Sequence, residues 1–344
     1  MRILSIDGGG TKGILPATLL HYVCEDLGKS PSELFDIFAG TSTGAILCLG
    51  MAHGWTPFEL SSLYQRESKV IFKEPLVDRL SGLDEHLKAN YSNHNLQKIL
   101  QTYFGRKTLG DLQMDPAFGG KGKEVMVCSF DLNPDDEEGA PSHYQPVVFH
   151  SSFKRDQHLS LVDIAMRSVA APTYFPVVEK KYIDGGVAIN NPSMAAVAYA
   201  MNGSKATGKD HRQYLSNGYK GLQIDRKDIK VLSLGTGISG LQRIEREKIG
   251  RGNWGNIQWI RYLPDLLIES NVQSSIYYVR HVLEDGNFLR INPSFKDPRL
   301  AQKILRDRKM AMDTTDPELL NALQVLAKAT FEKNRGTLRT FFEV

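Results

Sequence analysis

Gly40-Thr41-Ser42-Thr43-Gly44 stands between two apolar runs, Leu34-Phe35-Asp36-Ile37-Phe38-Ala39 before it and Ala45-Ile46-Leu47-Cys48-Leu49 after it. A glycine two residues either side of a serine lets the backbone make a cramped strand-to-helix turn, a nucleophile elbow, which lifts the serine hydroxyl off the end of a sheet. Chance alone produces G-x-S-x-G in on the order of one chain in ten of this length. The weight of the motif therefore comes from its surroundings. The run before Gly40 is strand-like, and Ala45 to Ala52 reads as a buried helix closed by Gly54. Ser42 is the candidate nucleophile, with Gly40, Thr41, Thr43 and Gly44 as the elbow around it.

Toward the N-terminus, Ile3-Leu4-Ser5-Ile6 reads as a buried strand that breaks at Asp7-Gly8-Gly9-Gly10-Thr11-Lys12-Gly13. Pro16 fits the first position of a helix running to about Leu27, with Leu15, Leu19, Leu20, Val23 and Leu27 on one apolar face and Gly28 as its stop. A glycine loop between strand and helix presents free backbone N–H groups at the positive end of that helix. Such a loop can hold a phosphate or a developing oxyanion equally well.

Toward the C-terminus, Thr56-Pro57-Phe58-Glu59 has the form of a capping box opening a helix to about Ile71. The signals from Phe72 to Leu96 are mixed, and an irregular connection is expected there rather than a cover over the site. Leu96 to Phe104 reads as a helix, and Glu124 to Phe130 and Pro146 to His150 as strands. The acidic loop joining those strands, Asp135-Asp136-Glu137-Glu138, is assigned no chemistry. Ser160-Leu161-Val162-Asp163 opens a capped helix that ends before Ala170-Ala171-Pro172-Thr173-Tyr174-Phe175-Pro176. In Tyr182-Ile183-Asp184-Gly185-Gly186 a carboxylate at a strand end precedes two glycines, and Asn190-Asn191-Pro192 caps a helix from Ser193 to Met201. Taken alone, Asp184 reads as a turn-forming residue.

These stretches do not stand alone. The glycine loop, the elbow at Ser42, the Ala-Ala-Pro-Thr-Tyr-Phe-Pro stretch and Asp184-Gly185-Gly186 followed by Asn-Asn-Pro resemble, in order and approximate spacing, the motifs of the patatin-like phospholipases. Val231-Leu232-Ser233-Leu234-Gly235-Thr236-Gly237 is similar to that family's late strand and turn. The resemblance covers most of Met1 to Gly237. It implies a three-layer α/β/α fold with a central, largely parallel sheet, Ser42 as nucleophile and Asp184 as its partner in a Ser-Asp dyad. It also implies that Gly8, Gly9, Gly10, Thr11, Lys12 and Gly13 form the oxyanion loop, and that Gly185 and Gly186 belong to the aspartate motif. The polar segment Asn202 to Asp228 looks longer than the usual family connection, and nothing beyond Gly240 matches a motif that can be transferred.

The chemistry read from the residues agrees. A hydroxyl needs a base within hydrogen-bond reach, and acyl transfer needs N–H donors aimed at the tetrahedral oxyanion. Ser42, Asp184 and the Gly9 and Gly10 amides supply these, provided burial raises the pKa of Asp184 toward the working range. A Ser-His-Asp arrangement would have to draw on His211 or His281, and both read as surface or packing histidines. The main rival is an actin-like sugar kinase or ATPase, whose phosphate loops resemble Asp-Gly-Gly-Gly-Thr-Lys. Against it, the loop leads into a helix rather than a second hairpin strand, and a kinase has no use for the elbow.

With 344 residues, 41% hydrophobic and 24% charged, the chain can bury a full core, and a formal net charge of +3 is too small to argue for a nucleic-acid polymer. Cys24, Cys48 and Cys128 lie in apolar runs without metal-ligand spacing and read as reduced core residues. No metal or other cofactor is expected. The location expected is cytoplasmic, at the inner face of the membrane, with phospholipid as substrate, peripheral membrane contact and a homo-oligomeric state. One domain is expected, with its catalytic core at about residues 1–237 and a regulatory or membrane-facing extension at 202–290. That stretch carries Lys205, Lys209, Arg212, Lys220, Arg226 and Lys227, and then Arg243, Arg246, Lys248 and Arg251 before Trp254 and Trp259. The mixture suits an anionic membrane surface or a phosphate-bearing ligand. Similarity to short bacterial patatin-like proteins implies activation by a cyclic dinucleotide in antiphage defence. Leu263 to Val282 is expected to be helix, Phe288 to Asn292 strand, and Pro317 to Asn334 a final amphipathic helix.

Overall fold

The computed structural model describes residues 1–73, 89–114, 123–134, 143–202, 222–238 and 244–343, with backbone alone at 257 and 261. Strand β1 (Arg2–Ile6) leads through the glycine loop to α1 (Ile14–Leu27), and α2 (Pro31–Leu34) returns the chain to β2 (Ile37–Thr41) and α3 (Thr43–Ala52). Helices α4 (Pro57–Ile71), α5 (Asn93–Phe104) and α6 (Asp111–Met114) precede β3 (Glu124–Asp131) and β4 (Gln145–His150). Next come α7 (Leu161–Val169), β5 (Tyr182–Asp184), α8 (Gly186–Ile189) and α9 (Ser193–Met201). The rest comprises β6 (Lys230–Leu234), α10 (Arg246–Ile249), α11 (Asn256–Val282), β7 (Phe288–Ile291), α12 (Lys303–Asp307) and α13 (Pro317–Phe342).

The strands form one sheet in the order β4-β3-β2-β1-β6-β7, with β5 paired to β3. From β3 to β7 the neighbours run parallel, while β4 and β5 are antiparallel to β3. Parallel strands covered on both faces read as unbroken apolar runs, and their alternate residues serve different cores. Leu4 and Phe38 pack with Leu15, Leu47, Leu60, Leu100 and Leu323 on one face. Ile3 and Ile37 pack with Val197, Val231 and Val279 on the other. The result is the expected α/β/α architecture. α13 belongs to the same core as α1, with Leu320, Leu323 and Leu326 in the cluster that holds Leu19 and Leu20.

Caps decide where several helices begin. Thr56 accepts from the Glu59 amide at 3.2 Å and Ser160 from the Asp163 amide at 3.0 Å, as the sequence predicts. Other boundaries differ. The chain passes through a 3-10 turn, Gly10–Gly13, before α1 starts at Ile14, so Pro16 is the third helical residue and not the first. α11 starts at Asn256 rather than Leu263 and runs through Pro264. The proline removes the bond to the carbonyl of Ile260, a residue exposed enough for that carbonyl to meet water instead. α13 continues past Asn334 to Phe342 because Leu338, Phe341 and Phe342 are buried in the same core. The short α2 and α8 carry too few turns to leave a periodic signal. Asp135 to Glu138, Lys205, Lys209, His211, Arg212, Lys220, Arg243 and most of the stretch from Phe72 to Leu96 lie outside the described residues.

Candidate active site

Ser42 sits between β2 and α3 with φ 55° and ψ −121°, a strained conformation for a residue with a side chain. The flanking glycines are required by crowding rather than by a positive φ. A Cβ on Gly40 would strike the Gly44 carbonyl, and one on Gly44 would strike the carbonyl of Ile6 on the neighbouring strand. The Ser42 amide donates to Ser168 Oγ at 2.9 Å, and that hydroxyl donates to the Cys128 carbonyl at 2.6 Å. The Thr41 hydroxyl donates to the Ile189 carbonyl at 2.6 Å, and the Thr43 and Tyr64 hydroxyls bond each other. The elbow is thus tied to α7, β3, α8 and α4.

The register of β3 brings Asp184 to this point. Thr41 at the end of β2 lies opposite Cys128, and the next residue of β3, Ser129, lies opposite Asp184 at the end of β5. β2 and β5 therefore meet tip to tip along one edge of β3. The Gly186 amide donates to Asp184 Oδ1 at 2.7 Å, and the Ser42 hydroxyl is the carboxylate's side-chain partner. A Cβ on Gly185 would strike the Cys128 carbonyl, so this glycine too is fixed by close approach. Burial pushes the Asp184 carboxyl up to about 6, against the hydrogen bonds from Ser42 and Gly186, which pull it down.

The glycine loop is pinned at its ends and free in its middle. The Gly8 amide donates to the Asn190 carbonyl at 3.2 Å, and the Gly8 carbonyl accepts from the Thr236 hydroxyl at 3.0 Å. The Thr11 amide and hydroxyl both donate to the Met312 carbonyl, at 2.7 and 3.1 Å. Between these ties, the Gly9 and Gly10 amides donate to no group among the described residues. Gly10 has φ 62°, and a Cβ there would strike the Met312 carbonyl. A Cβ on Gly8 would come 3.2 Å from Ser42 Cβ, which places the loop directly against the elbow.

Gly10, Ser42, Thr43 and Asp184 line one pocket, open at its mouth, whose walls are Ile46, Tyr64, Ile71, Phe72, Leu96, Val169, Tyr174, Phe175 and Met312. The remaining predicted residues serve as scaffold. Thr11 is the buried anchor, Gly13 packs on Thr43 and Tyr64, and burial pushes the Lys12 ammonium down while Asp265 of α11 pulls it back up. Among the described residues no histidine lines the pocket. His281 lies on the exposed side of α11 against Tyr277, and among the described residues no group of three or more His, Cys, Asp or Glu is arranged to hold a metal. The phosphate-loop alternative also lacks its hairpin, since β1 runs parallel to both neighbours, β2 and β6.

Residues outside the sequence motifs complete the site. Arg290 of β7 makes a bidentate pair with Asp7, at 2.9 and 2.5 Å, immediately before the glycine loop, and also donates to Ser233 Oγ at 3.0 Å. Asn271 of α11 donates to the Gly186 carbonyl at 3.0 Å and accepts from the Asn190 amide at 2.9 Å. A lone arginine inside the apolar run Phe288-Leu289-Arg290-Ile291 was a readable signal for a buried partner. The serine, threonine and asparagine contacts left none.

A patatin-like phospholipase family model matches residues 4–197. The chain belongs to that family. It is 27% identical over 291 residues to a cGAMP-activated phospholipase of Pseudomonas aeruginosa, covering 83% of this chain and 77% of that one. It is 30% identical over 300 residues to patatin-like protein 2 of Arabidopsis thaliana, covering 76% of this chain and 66% of the plant protein. Among solved structures, VipD of Legionella pneumophila aligns with a TM-score of 0.48 at 14% identity, over 98% of this chain and 66% of that one.

The buried carboxyl sets a stability signature. Folding raises the pKa of Asp184 from 3.8 to about 6, so the folded state holds a proton that the unfolded state has lost. That contribution is fully present below the unfolded pKa and is lost as pH rises through the folded one, by up to about 3 kcal/mol. Asp184→Asn is expected to melt close to wild type at pH 4 and above it at pH 7.5. Parallel melting curves of the two proteins across that range would contradict the assignment. Arg290→Met leaves Asp7 buried without its cation, with the Asn191 side chain as its remaining partner, and is expected to cost about 3–5 kcal/mol in urea denaturation. Adding Asp7→Asn should recover more than half of the loss, and no recovery would show that the pair is not coupled.

Proposed function

We propose that this chain is a lipid acyl hydrolase that cleaves acyl esters of membrane glycerophospholipids through a Ser42–Asp184 dyad. The observation that carries the reading is a strained serine, bonded to a buried carboxylate of raised pKa, that shares an apolar pocket with Gly10 of the glycine loop. Membership of the patatin-like phospholipase family supports the substrate class.

In the proposed sequence the Ser42 oxygen attacks the ester carbonyl carbon while Asp184 takes its proton. The carbonyl π electrons move onto oxygen, and the Gly9 and Gly10 amides receive the resulting charge, each such donor being worth roughly 10²–10³ in rate. Collapse of this adduct breaks the bond to the lysophospholipid oxygen, which leaves with the proton from Asp184. The acyl group remains on Ser42. Water then attacks the acyl-serine, giving its proton to Asp184; the second adduct expels the Ser42 oxygen, which takes that proton back, and the fatty acid departs. The apolar walls from Ile46 to Phe175 suit the acyl chain, and a carboxylate poised near 6 serves as base without a histidine relay. The whole chain acts as one domain in this reading, at the cytoplasmic face of the membrane.

Control by a cyclic dinucleotide is the second part of the proposal, supported by likeness to two bacterial proteins described as cGAMP-activated phospholipases. Its physiological form is a phospholipase held silent until antiviral signalling begins. Of the residues expected to meet such a ligand, Trp254 and Trp259 already pack edge to face at 5.2 Å, and Trp254 stacks on Tyr262 at 5.3 Å. Arg226 and Lys227 are exposed and paired with Glu284 and Asp225.

A fluorophosphonate probe is expected to add its mass to Ser42, and Ser42→Ala to lose both labelling and phospholipid hydrolysis. The kcat/KM for a soluble ester should rise with pH through about 6, as Asp184 loses its proton. A labelled site elsewhere would overturn the dyad. Hydrolysis of phospholipid vesicles across a panel of cyclic di- and trinucleotides is expected to be low without ligand and at least about tenfold higher with one of them, the effect of a modest coupling energy. Full activity without ligand would remove the switch and leave the hydrolase reading intact.

A further inference from the structure

Half of the large apolar side chains left exposed among the described residues lie on α11, and five gather on its N-terminal half: Trp259, Ile260, Leu263, Leu266 and Leu267. Ile260 is 66% and Leu267 53% exposed. Further along the same helix Tyr277 and Tyr278 are 59% and 53% exposed. At 100° per residue all seven fall within a sector of about 120°. They make a stripe about 30 Å long, at 1.5 Å per residue. Val272, Ile276 and Val279 lie on the opposite side and are buried.

We propose that this outer face of α11 docks the protein on a phospholipid surface. The proposal rests on the hydrolase reading of the Ser42 site and names the surface by which that site meets its substrate. Three observations single out a lipid occupant. First, the stripe carries no carboxylate: the two acidic residues of α11, Asp265 and Glu269, lie off it, on the side turned toward Lys12 and Asp7 of the glycine loop. Exposed cations stand at both ends, with Arg246, Lys248 and Arg251 before the helix and Arg280 in its last turn. Of these, Lys248 pairs with Glu245 at 3.2 Å. Second, Trp259, Ile260 and three leucines crowd the N-terminal part of the stripe, and past the small polar residues Ser270 and Ser274 two tyrosines close its far end, so rings stand at both ends, as on a helix lying in the boundary between headgroups and acyl chains.

Third, α11 packs on the elements that follow Asp184. Asp265 is near enough to act electrostatically on both Lys12 and Tyr174, and Tyr174 is a pocket wall. The inner face of the same helix holds the aspartate loop through Asn271 and through Ser275, whose hydroxyl donates to Asn191 Oδ1 at 3.0 Å. A lipid surface seated on the stripe would therefore press on the element that clamps the Asp184 turn.

The test uses the full chain and vesicles of phosphatidylcholine and phosphatidylglycerol in equal parts. The double variant Leu263→Glu with Leu267→Glu is expected to float with these vesicles about tenfold less than wild type, because two buried apolar contacts become charges. Fluorophosphonate labelling of Ser42 and hydrolysis of a short, soluble p-nitrophenyl ester should stay within about twofold, since neither leucine touches the pocket. Undiminished flotation of the variant, or a wild type that does not float, would overturn the proposal. So would a dimeric wild type that the variant turns monomeric while vesicle binding is unchanged, which would give the stripe to a second copy. Loss of flotation in the variant together with an unlabelled Ser42 in wild type would uphold the surface and overturn the hydrolase reading instead.

Discussion

One edge of β3 is shared by two strands that approach from opposite directions, and the site depends on that sharing. β2 uses the edge as far as Cys128 and β5 takes it from Ser129, so the last residue of each strand is delivered to the same place. Neither Ser42 nor Asp184 needs a long side chain or a loop excursion to reach the other. The cost is crowding. Gly40, Gly44 and Gly185 all sit where a Cβ would strike a backbone carbonyl, and Ser42 keeps a strained φ that its amide bond to Ser168 helps to hold.

Beneath the site, buried polar groups bond one another in a chain across the sheet, with Arg290 Nε left out of it. Ser193 Oγ bonds the hydroxyls of Ser5 and Ser233 at 2.8 and 3.0 Å, and Asn191 Nδ2 donates to Ser233 Oγ at 3.1 Å. Arg290 joins this chain to Asp7. Unpaired, these groups would each cost several kcal/mol in so dry a setting; paired, they fix the relative height of β1, β6, β7 and α9. The glycine loop leaves β1 directly from this network, through Asp7.

Much of this was legible in the sequence, for reasons that can be traced residue by residue. The elbow is a local event: crowding between Gly40 and Gly44 is written within five letters, and the helix that follows is apolar throughout. The capping residues Thr56 and Ser160 act on amides three residues away, so their helices start where the letters say. The aspartate was readable only through its resemblance to a family pattern, because its pairing with Ser42 arises from the register of a third strand. The ties that hold the loop, from Thr236, Arg290 and Met312, join residues more than 220 positions apart. No spacing rule links such positions. The helix boundaries that differed, at Asn256 and Phe342, were decided by tertiary packing and exposure rather than by local propensity.

The sheet is closed late in synthesis. β1 opens the described order yet lies at the centre of the sheet, and its second neighbour, β6, follows only at Lys230. The N-terminal ammonium itself bonds the Asp228 carbonyl at 2.7 Å, and α1 waits for α13 to cover it. At roughly 5–20 residues per second, a ribosome takes at least ten seconds to travel from the first strand to the sixth. During that time the glycine loop lacks Thr236, Arg290 and Met312, so a nascent chain already carrying both Ser42 and Asp184 has no fixed loop beside them. High contact order slows folding. Here the same topology delays the ties of the glycine loop until strands far along the sequence are in place.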